Sequence, residues 1–512
     1  MLRNILTVGF WTLASRVLGF VRDVLIADHL GAGMVADAFF VALKLPNLFR
    51  RLFGEGAFSA AFVPAFAGTL AADGRRQAQR FAEEVSAVLL LWLVVFSIAG
   101  VLAMPELMFI LAPGFAEIPE KFALAVRLTR ITFPYLLLIC IAAEFAAVLN
   151  GLDRFAAAAA APLLFNIFLI AALLFLTPYV PTAGHALAYG VTASGVAQLI
   201  VLAFALAHAG MPLRLHWPRL TPAVRLVMRR MAPGVVGVGV TQINLLVDTI
   251  VASFLKPGTV SVLYYADRVN QLPLGVIGAA VGTALLPALS RQLRGHEKLT
   301  AHRTLNRAIE FTLALTLPAA VGLGVIAFPI IRVLFEHGAF TASDVTATAA
   351  ALVAYAVGVP GTVLAKVLAP RFFARGDTTT PVAVGVGAMF VNLALIAAFV
   401  FPMRATGIAL AASLSALFNA ALLWVLLLRR RLLHVDRRLR ARAPRMIAAA
   451  IAMGILLALV AQLWAPAATE AARLLRLVGL VLLGAAVYGA AGQALAAFDL
   501  REVGHKLAVR RG

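Results

Sequence analysis

Apolar runs about 20 residues long recur from one end of the sequence to the other, and they fix the solvent in which this chain folds. Twenty residues of α-helix span about 30 Å, the hydrocarbon thickness of a bilayer. The runs are continuous, whereas strands of a membrane barrel alternate apolar and polar residues. Hydrophobic types make up 62% of the 512 residues and charged types 13%, against roughly one half and one quarter in soluble proteins. A single chain cannot bury that much apolar surface against itself, so lipid must cover the rest. The expected fold class is an all-α polytopic membrane protein of about fourteen transmembrane helices. The second run, 33–67, is too long for one straight crossing. Pro46, Gly54, Gly56 and Pro64 interrupt it and predict a kink or a break. The first run carries Arg16, Arg22 and Asp23, and no small-residue cleavage site follows it. We expect a retained helix there, not a signal peptide.

The formal net charge of +21 would suggest nucleic acid in a soluble chain. Here the basic residues sit in short alternate loops, which is a topological signal, and no nucleic-acid partner is expected. One set of loops holds Arg75, Arg76 and Arg80, then Arg214 to Arg230, then Arg291 to Arg307, and then the densest run, Arg429 to Arg445. The opposite set holds mainly Lys121, Lys256, Arg404 and Arg473. Both termini are therefore expected on the cytoplasmic side of a bacterial inner membrane. His185, His208, His337 and His434 fall at loops or helix ends and are expected to be solvated. Cys140 is the only cysteine, so no disulfide within the chain and no Cys/His metal cluster are expected.

The chain also repeats itself. Pro134 and Pro360 are 226 residues apart, as are Asn166 and Asn392, in related contexts. PELMFILAPGF (105–115) resembles PIIRVLFEHGAF (329–340). We expect two six-helix halves, 1–215 and 220–430, followed by an extra helical pair, 443–500. Transporters often use such repeats and bind substrate where they meet.

Ionisable residues inside the apolar runs are costly, about 2.5–3.5 kcal/mol each on insertion scales. The first run has Arg16, Arg22 and Asp23, which we expect on one helix face. The second has Asp37, Lys44, Arg50, Arg51 and Glu55. Asp248 follows, then Asp267 and Arg268. Two accounts are open. The charges pair with one another, or a surplus of arginine awaits an anion. Buried charge is expected to concentrate in the first, second and eighth runs, with basic groups in excess. Guanidinium binds phosphate oxygens in a bidentate way and suits a pyrophosphate. No nucleotide-binding loop is present. Asp248 and Asp377 are candidate carboxylates for a cation, although Asp377 is equally placed to cap the helix that follows it.

The stretch SRVLGFVRDVLIADHLGAGMVADAFFVALKLPNLFRRLFGEGAFSAAFVPAF (15–66) closely resembles the MurJ/MviN family of lipid II flippases. So do TQINLLVDTIVASFL (241–255) and YYADRVNQLPLGVIGAAVGTALLPALS (264–290). The resemblance runs through the whole chain. It implies the MOP exporter architecture: two pseudo-symmetric six-helix lobes in a V around a cavity, and two C-terminal helices forming a groove for a lipid tail. It implies substrate-binding roles for Arg16, Arg22, Asp37, Arg51, Glu55 and Arg268, with Asp23 and Arg50 as further cavity residues, and Arg50 or Arg51 facing the cavity. It implies lipid II and membrane lipids as partners, with cell-wall synthesis proteins nearby in peptidoglycan biosynthesis. No cofactor is expected beyond a coupling ion, Na+ or Cl−. Asp248 and Asp377 match part of a family sodium site, but Phe373 stands where a polar ligand is expected. Gln271 occupies a position that is acidic in some relatives. The chain is expected not to be an enzyme, since neither a magnesium-binding carboxylate cluster nor a hydrolase nucleophile and base is visible. The rival readings are a flippase for another polyprenyl-linked glycan, a drug or ion antiporter of the same superfamily, and a scaffold without transport.

Overall fold

The structure is a computed structural model that describes residues 2–51, 58–295, 297–464 and 469–498. The described residues form helices and connecting turns, with no strand among them. The helices are α1 (Leu2–Leu30), α2 (Met34–Phe49), α3 (Phe58–Ala72), α4 (Gly74–Leu102), α5 (Met104–Leu111), α6 (Pro119–Thr132), α7 (Tyr135–Gly151), α8 (Phe155–Ala171) and α9 (Ala183–His208). They continue with α10 (Pro222–Ser253), α11 (Thr259–Arg294), α12 (Lys298–Val325), α13 (Ala327–Phe335), α14 (Ala342–Phe373), α15 (Thr379–Arg429), α16 (Arg437–Leu463) and α17 (Glu470–Ala494).

Among the described residues, nine helical segments are long and apolar enough to cross a membrane. One of them, the 51-residue α15, folds back on itself at Arg404 (φ 51°, ψ −125°). Helices α1, α10 and α11 are of like length, at 29, 32 and 36 residues. The chain is thus an all-α, multi-pass membrane protein. In the long second run, Pro46 lies inside α2 and Pro64 inside α3, and the expected break at Gly54 and Gly56 lies outside the described residues. Glu55 lies outside the described residues.

Local chemistry sets the helix ends. Thr221 caps α10 by accepting from Val224 N–H, and Asp436 caps α16 by accepting from Leu439 N–H. Thr341 and Asp344 form a reciprocal capping box at α14. Each such cap satisfies an end N–H that would otherwise lack a partner in an apolar setting.

The repeat is visible in the element order. Moved along by 226 residues, α1 falls on α10, α2 and α3 on α11, and α4 on α12. The short α5 falls on the short α13, the α6–α7 pair on α14, and α8 and α9 on the two arms of α15. Asn166 and Asn392 are both buried.

By contacts the chain divides into two compact units. Unit 1 is Met1–Ser261 with His337–Phe340, and unit 2 is Val262–Glu336 with Thr341–Gly512. In unit 1, α1 lies on α8, and α7 packs against α3, α4, α8 and α9. In unit 2, α14 packs against α12 and α15, while α16 and α17 pair with each other and rest on α12 and α13.

Candidate functional site

Charges brought into unit 1 are handled in two different ways. Arg22 of α1 is buried. Its Nη2 meets Asp23 Oδ1 at 2.6 Å and its Nη1 donates to Asn166 Oδ1 of α8 at 2.9 Å. The guanidinium also lies over the Phe165 ring, 5.4 Å from its centre. Asn166 completes the arrangement by donating to the Ser15 carbonyl at 2.9 Å. Asn166 also packs against Gly19, where a Cβ would be in ordinary contact at 3.5 Å.

Arg16 differs. It is exposed, and among the described residues no hydrogen bond or ion pair engages it. The expected common face for Arg16 and Arg22 is therefore corrected. Six residues turn a helix so that the two side chains stand about 120° apart. One is drawn onto α8 and the other is left open.

Asp37 of α2 is closed off by its neighbours. It is 0% exposed. Its Oδ2 accepts from Lys121 Nζ at 2.8 Å and Gly258 N–H at 2.7 Å. Its Oδ1 accepts from Ser261 N–H at 2.8 Å and Ser261 Oγ at 2.6 Å. The carboxylate thus caps the first turn of α11 from a different helix, at the positive end of the helix dipole. Gly258 makes this possible. It has φ +95°, and the Ala32 carbonyl oxygen stands 2.3 Å from its missing Cβ. Lys121, expected in a loop, is in α6 at 2% exposure, with its ammonium 4.0 Å from the centre of the Phe115 ring. Lys44 donates to Thr249 Oγ1 of α10 at 2.5 Å. Arg50 donates to Asn47 Oδ1 at 3.3 Å, and Arg51 is exposed.

In unit 2, Arg268 donates through Nε and Nη2 to Tyr264 Oη at 3.0 and 2.9 Å, and stacks on that ring. Asp377 is used as a cap. It accepts from Thr380 N–H at 2.9 Å, Thr380 Oγ1 at 2.7 Å, Thr379 Oγ1 at 3.1 Å and Arg430 Nη1 at 2.7 Å. These donors, the Thr380 backbone first, hold its carboxyl below the usual carboxylate range. Asp248 is half-buried in unit 1. Among the described residues, no three His, Cys, Asp or Glu side chains gather as metal ligands.

Buried charge is not confined to the first, second and eighth runs. Glu83, Lys121, Glu144, Glu310 and Arg371 are buried as well. Two of these serve local structure. Glu83 accepts from Gln79 and from the Arg214 backbone, and Glu310 draws in Arg442 at 2.6 Å and Arg438 at 3.2 Å. His185 is buried too, against expectation, with Nδ1 bonded to Thr182.

Comparison with known proteins gives this arrangement its setting. The family model described as lipid II flippase MurJ matches residues 26–478. A probable lipid II flippase MurJ of Rhizobium tropici is 43% identical over 499 residues, covering 95% of this chain and 93% of that protein. Its counterpart in Vibrio cholerae is 40% identical over 432 residues, covering 83% and 82%. Among solved structures, a lipid II flippase MurJ in an inward closed conformation matches with TM-score 0.80 at 26% identity, over 95% of this chain and 98% of that one. An inward-facing MATE multidrug resistance transporter of the MOP superfamily shares the fold, with TM-score 0.67 at 13% identity, over 82% and 94%. This chain belongs to the lipid II flippase MurJ family.

Proposed function

We infer that this chain is a lipid II flippase of the bacterial inner membrane. It carries the undecaprenyl-pyrophosphate-linked peptidoglycan precursor from the cytoplasmic to the outer leaflet by alternating access, with both termini cytoplasmic. Family membership supports the substrate. The observation that carries the site is Arg16, an exposed guanidinium in the middle of an apolar helix with no partner among the described residues. Such a group needs an anion or water, and a diphosphate offers bidentate oxygens of the right geometry.

In this reading Arg16 binds the diphosphate directly. Arg22, held in place by Asp23 and Asn166, belongs to the same proposed substrate-binding set. Arg50 and Arg51 of unit 1 are proposed as further headgroup ligands, and Arg268 of unit 2, oriented by Tyr264, is proposed as a substrate-binding residue in its own unit. Glu55 belongs to the same proposed set. Asp37 keeps the framework through α11 and does not touch the substrate. The prenyl tail stays in lipid, along the apolar faces of α16 and α17, where Ile451, Ile455, Leu475 and Leu482 are exposed. Asp377 caps α15 and pairs with Arg430, and a coupling ion, Na+ or Cl−, remains part of the proposal.

The test is the exposure of lipid II on the outer face of cells depleted of the native protein. Arg16→Ala should insert normally, keep its thermal stability and fail to restore exposure. Arg22→Ala should fail for an additional reason. It leaves the buried Asp23 without its guanidinium and loses about 3–5 kcal/mol of stability. Full restoration by Arg16→Ala would overturn the site. Normal lipid II exposure in depleted cells that lack any flippase would overturn the function.

A further inference from the structure

Glu144 has no role in the site above, yet it is the least compensated polar side chain in unit 1. It lies in the middle of α7, within YLLLICIAAEFAAVLNG, and is 0% exposed. Neither carboxyl oxygen has a hydrogen-bond partner among the described residues. Ser86 of α4 is placed as a donor beside it, but the buried Ser86 hydroxyl does not reach hydrogen-bonding geometry with either carboxyl oxygen.

Among the described residues, the helices in main contact with α7 bring no counter-charge. Helices α3 and α8 contain no charged residue, and α9 has only His185 and His208, near its two ends. On α4, Arg75, Arg76 and Arg80 are exposed. Glu83 is held by Gln79 and the Arg214 backbone, and Glu84 accepts from Thr221. On α2, Asp37 is closed by Lys121, and Lys44 bonds Thr249.

An ionised carboxylate in such a place would be an unpaired buried charge, which proteins avoid by neutralising the group. A bound metal cation fits poorly as the compensating partner, because the described residues gather no cluster of carboxylate ligands here. Hard cations want about six oxygens, and Glu144 with Ser86 supplies three at most. The remaining neutraliser is a proton. Even the neutral acid is left with unmade hydrogen bonds here, a cost that glutamine or leucine would lessen or avoid. A glutamate that is costly in one packing is retained where a second packing lets it ionise in water.

We propose that Glu144 is a proton-binding site of unit 1, filled in the packing described here and emptied when water enters between α4 and α7. The O–H bond of the acid then breaks, the electron pair stays on the carboxylate, and the proton leaves as hydronium. Because the closed packing holds one proton that the opened packing releases, rising pH favours opening, by about tenfold in the equilibrium per pH unit at most. That this exchange accompanies substrate movement rests on the lipid II reading; the binding of the proton does not.

The test uses the full-length protein in lipid vesicles. Infrared spectra should contain a protonated-carboxyl C=O band that shifts in D2O and vanishes in Glu144→Gln. Thermal stability of the wild type should fall with rising alkaline pH, and Glu144→Gln should flatten that slope. Glu144→Leu, a second variant, should fold and equal or exceed the wild type in alkaline stability. Absence of the band from the wild-type-minus-variant difference overturns the proposal, and so does an unchanged pH slope. Neither result depends on lipid II. In a parallel flipping assay, wild type that moves no lipid II at any pH would instead reject the flippase reading and leave the proton site standing.

Discussion

Lys121 and Asp37 are joined across 84 residues of sequence, and the pair decides how the start of α11 is held. Both ends are essentially removed from solvent, at 2% and 1% side-chain exposure. Removing one partner leaves the other as an uncompensated buried charge, which costs about 3–5 kcal/mol. Lys121→Met should therefore lower thermal stability by about that much in detergent. Lys121→Met with Asp37→Asn should lose less than the sum of the two single changes. Strict additivity in that cycle would mean the two side chains do not act as a pair. The pairing was not legible in the sequence. Lys121 sits in PEKF, close to a proline and beside Glu120, and reads as a loop. Its burial follows only once α6 starts at Pro119 and turns the ammonium towards α2. Glu144 left a plainer trace, one ionisable residue inside a long apolar run. That signal by itself is enough to single such a residue out for inspection.

At the scale of elements, small residues set the closeness of the helices. In unit 2 the missing Cβ of Gly358 would stand 2.7 Å from Ser413 Cα, and that of Gly361 2.8 Å from Leu417 Cα. Backbone meets backbone along this seam between α14 and the second arm of α15, a contact open only to residues without bulk. Ser413 adds a hydrogen bond across it, to the Ala354 carbonyl at 2.7 Å. Gly361→Ala should force the helices apart and cost about 1–3 kcal/mol, read as a fall in melting temperature. Gly385→Ala, where a Cβ would meet nothing within 4 Å, should show no such fall, and an equal fall at both would remove the seam as the cause. Elements themselves were largely legible, because lipid demands long apolar helices and proline and glycine mark their breaks. Helix rotation was less legible. Arg22 faces α8 because Asn166 and Phe165 are there to receive it, and the Asn166 bond crosses 144 residues.

At the scale of the whole molecule, the constraint is the charge asymmetry between alternate loops, which follows from the cost of moving Lys and Arg across a membrane. The 209–221 connection carries Arg214 and Arg219 and is tied to α4. Gln79 donates to the Pro212 carbonyl at 2.7 Å, Glu83 accepts from Arg214 N–H at 3.0 Å, and Glu84 accepts from Thr221 Oγ1 at 2.8 Å. The 177–182 connection between α8 and α9 carries no charge. One helix separates the two, so they should open on opposite sides. The chain is suited to the measurement, since Cys140 is its only cysteine and is 1% exposed. Wild type should resist a membrane-impermeant maleimide from either side. In a Cys140→Ala background, a cysteine at exposed Tyr179 should react in intact cells. A cysteine at exposed Trp217 should react only after the membrane is opened. The reverse pattern would invert the topology and with it the direction of transport. Labelling of both positions in intact cells would mean that α9 does not span the membrane between them.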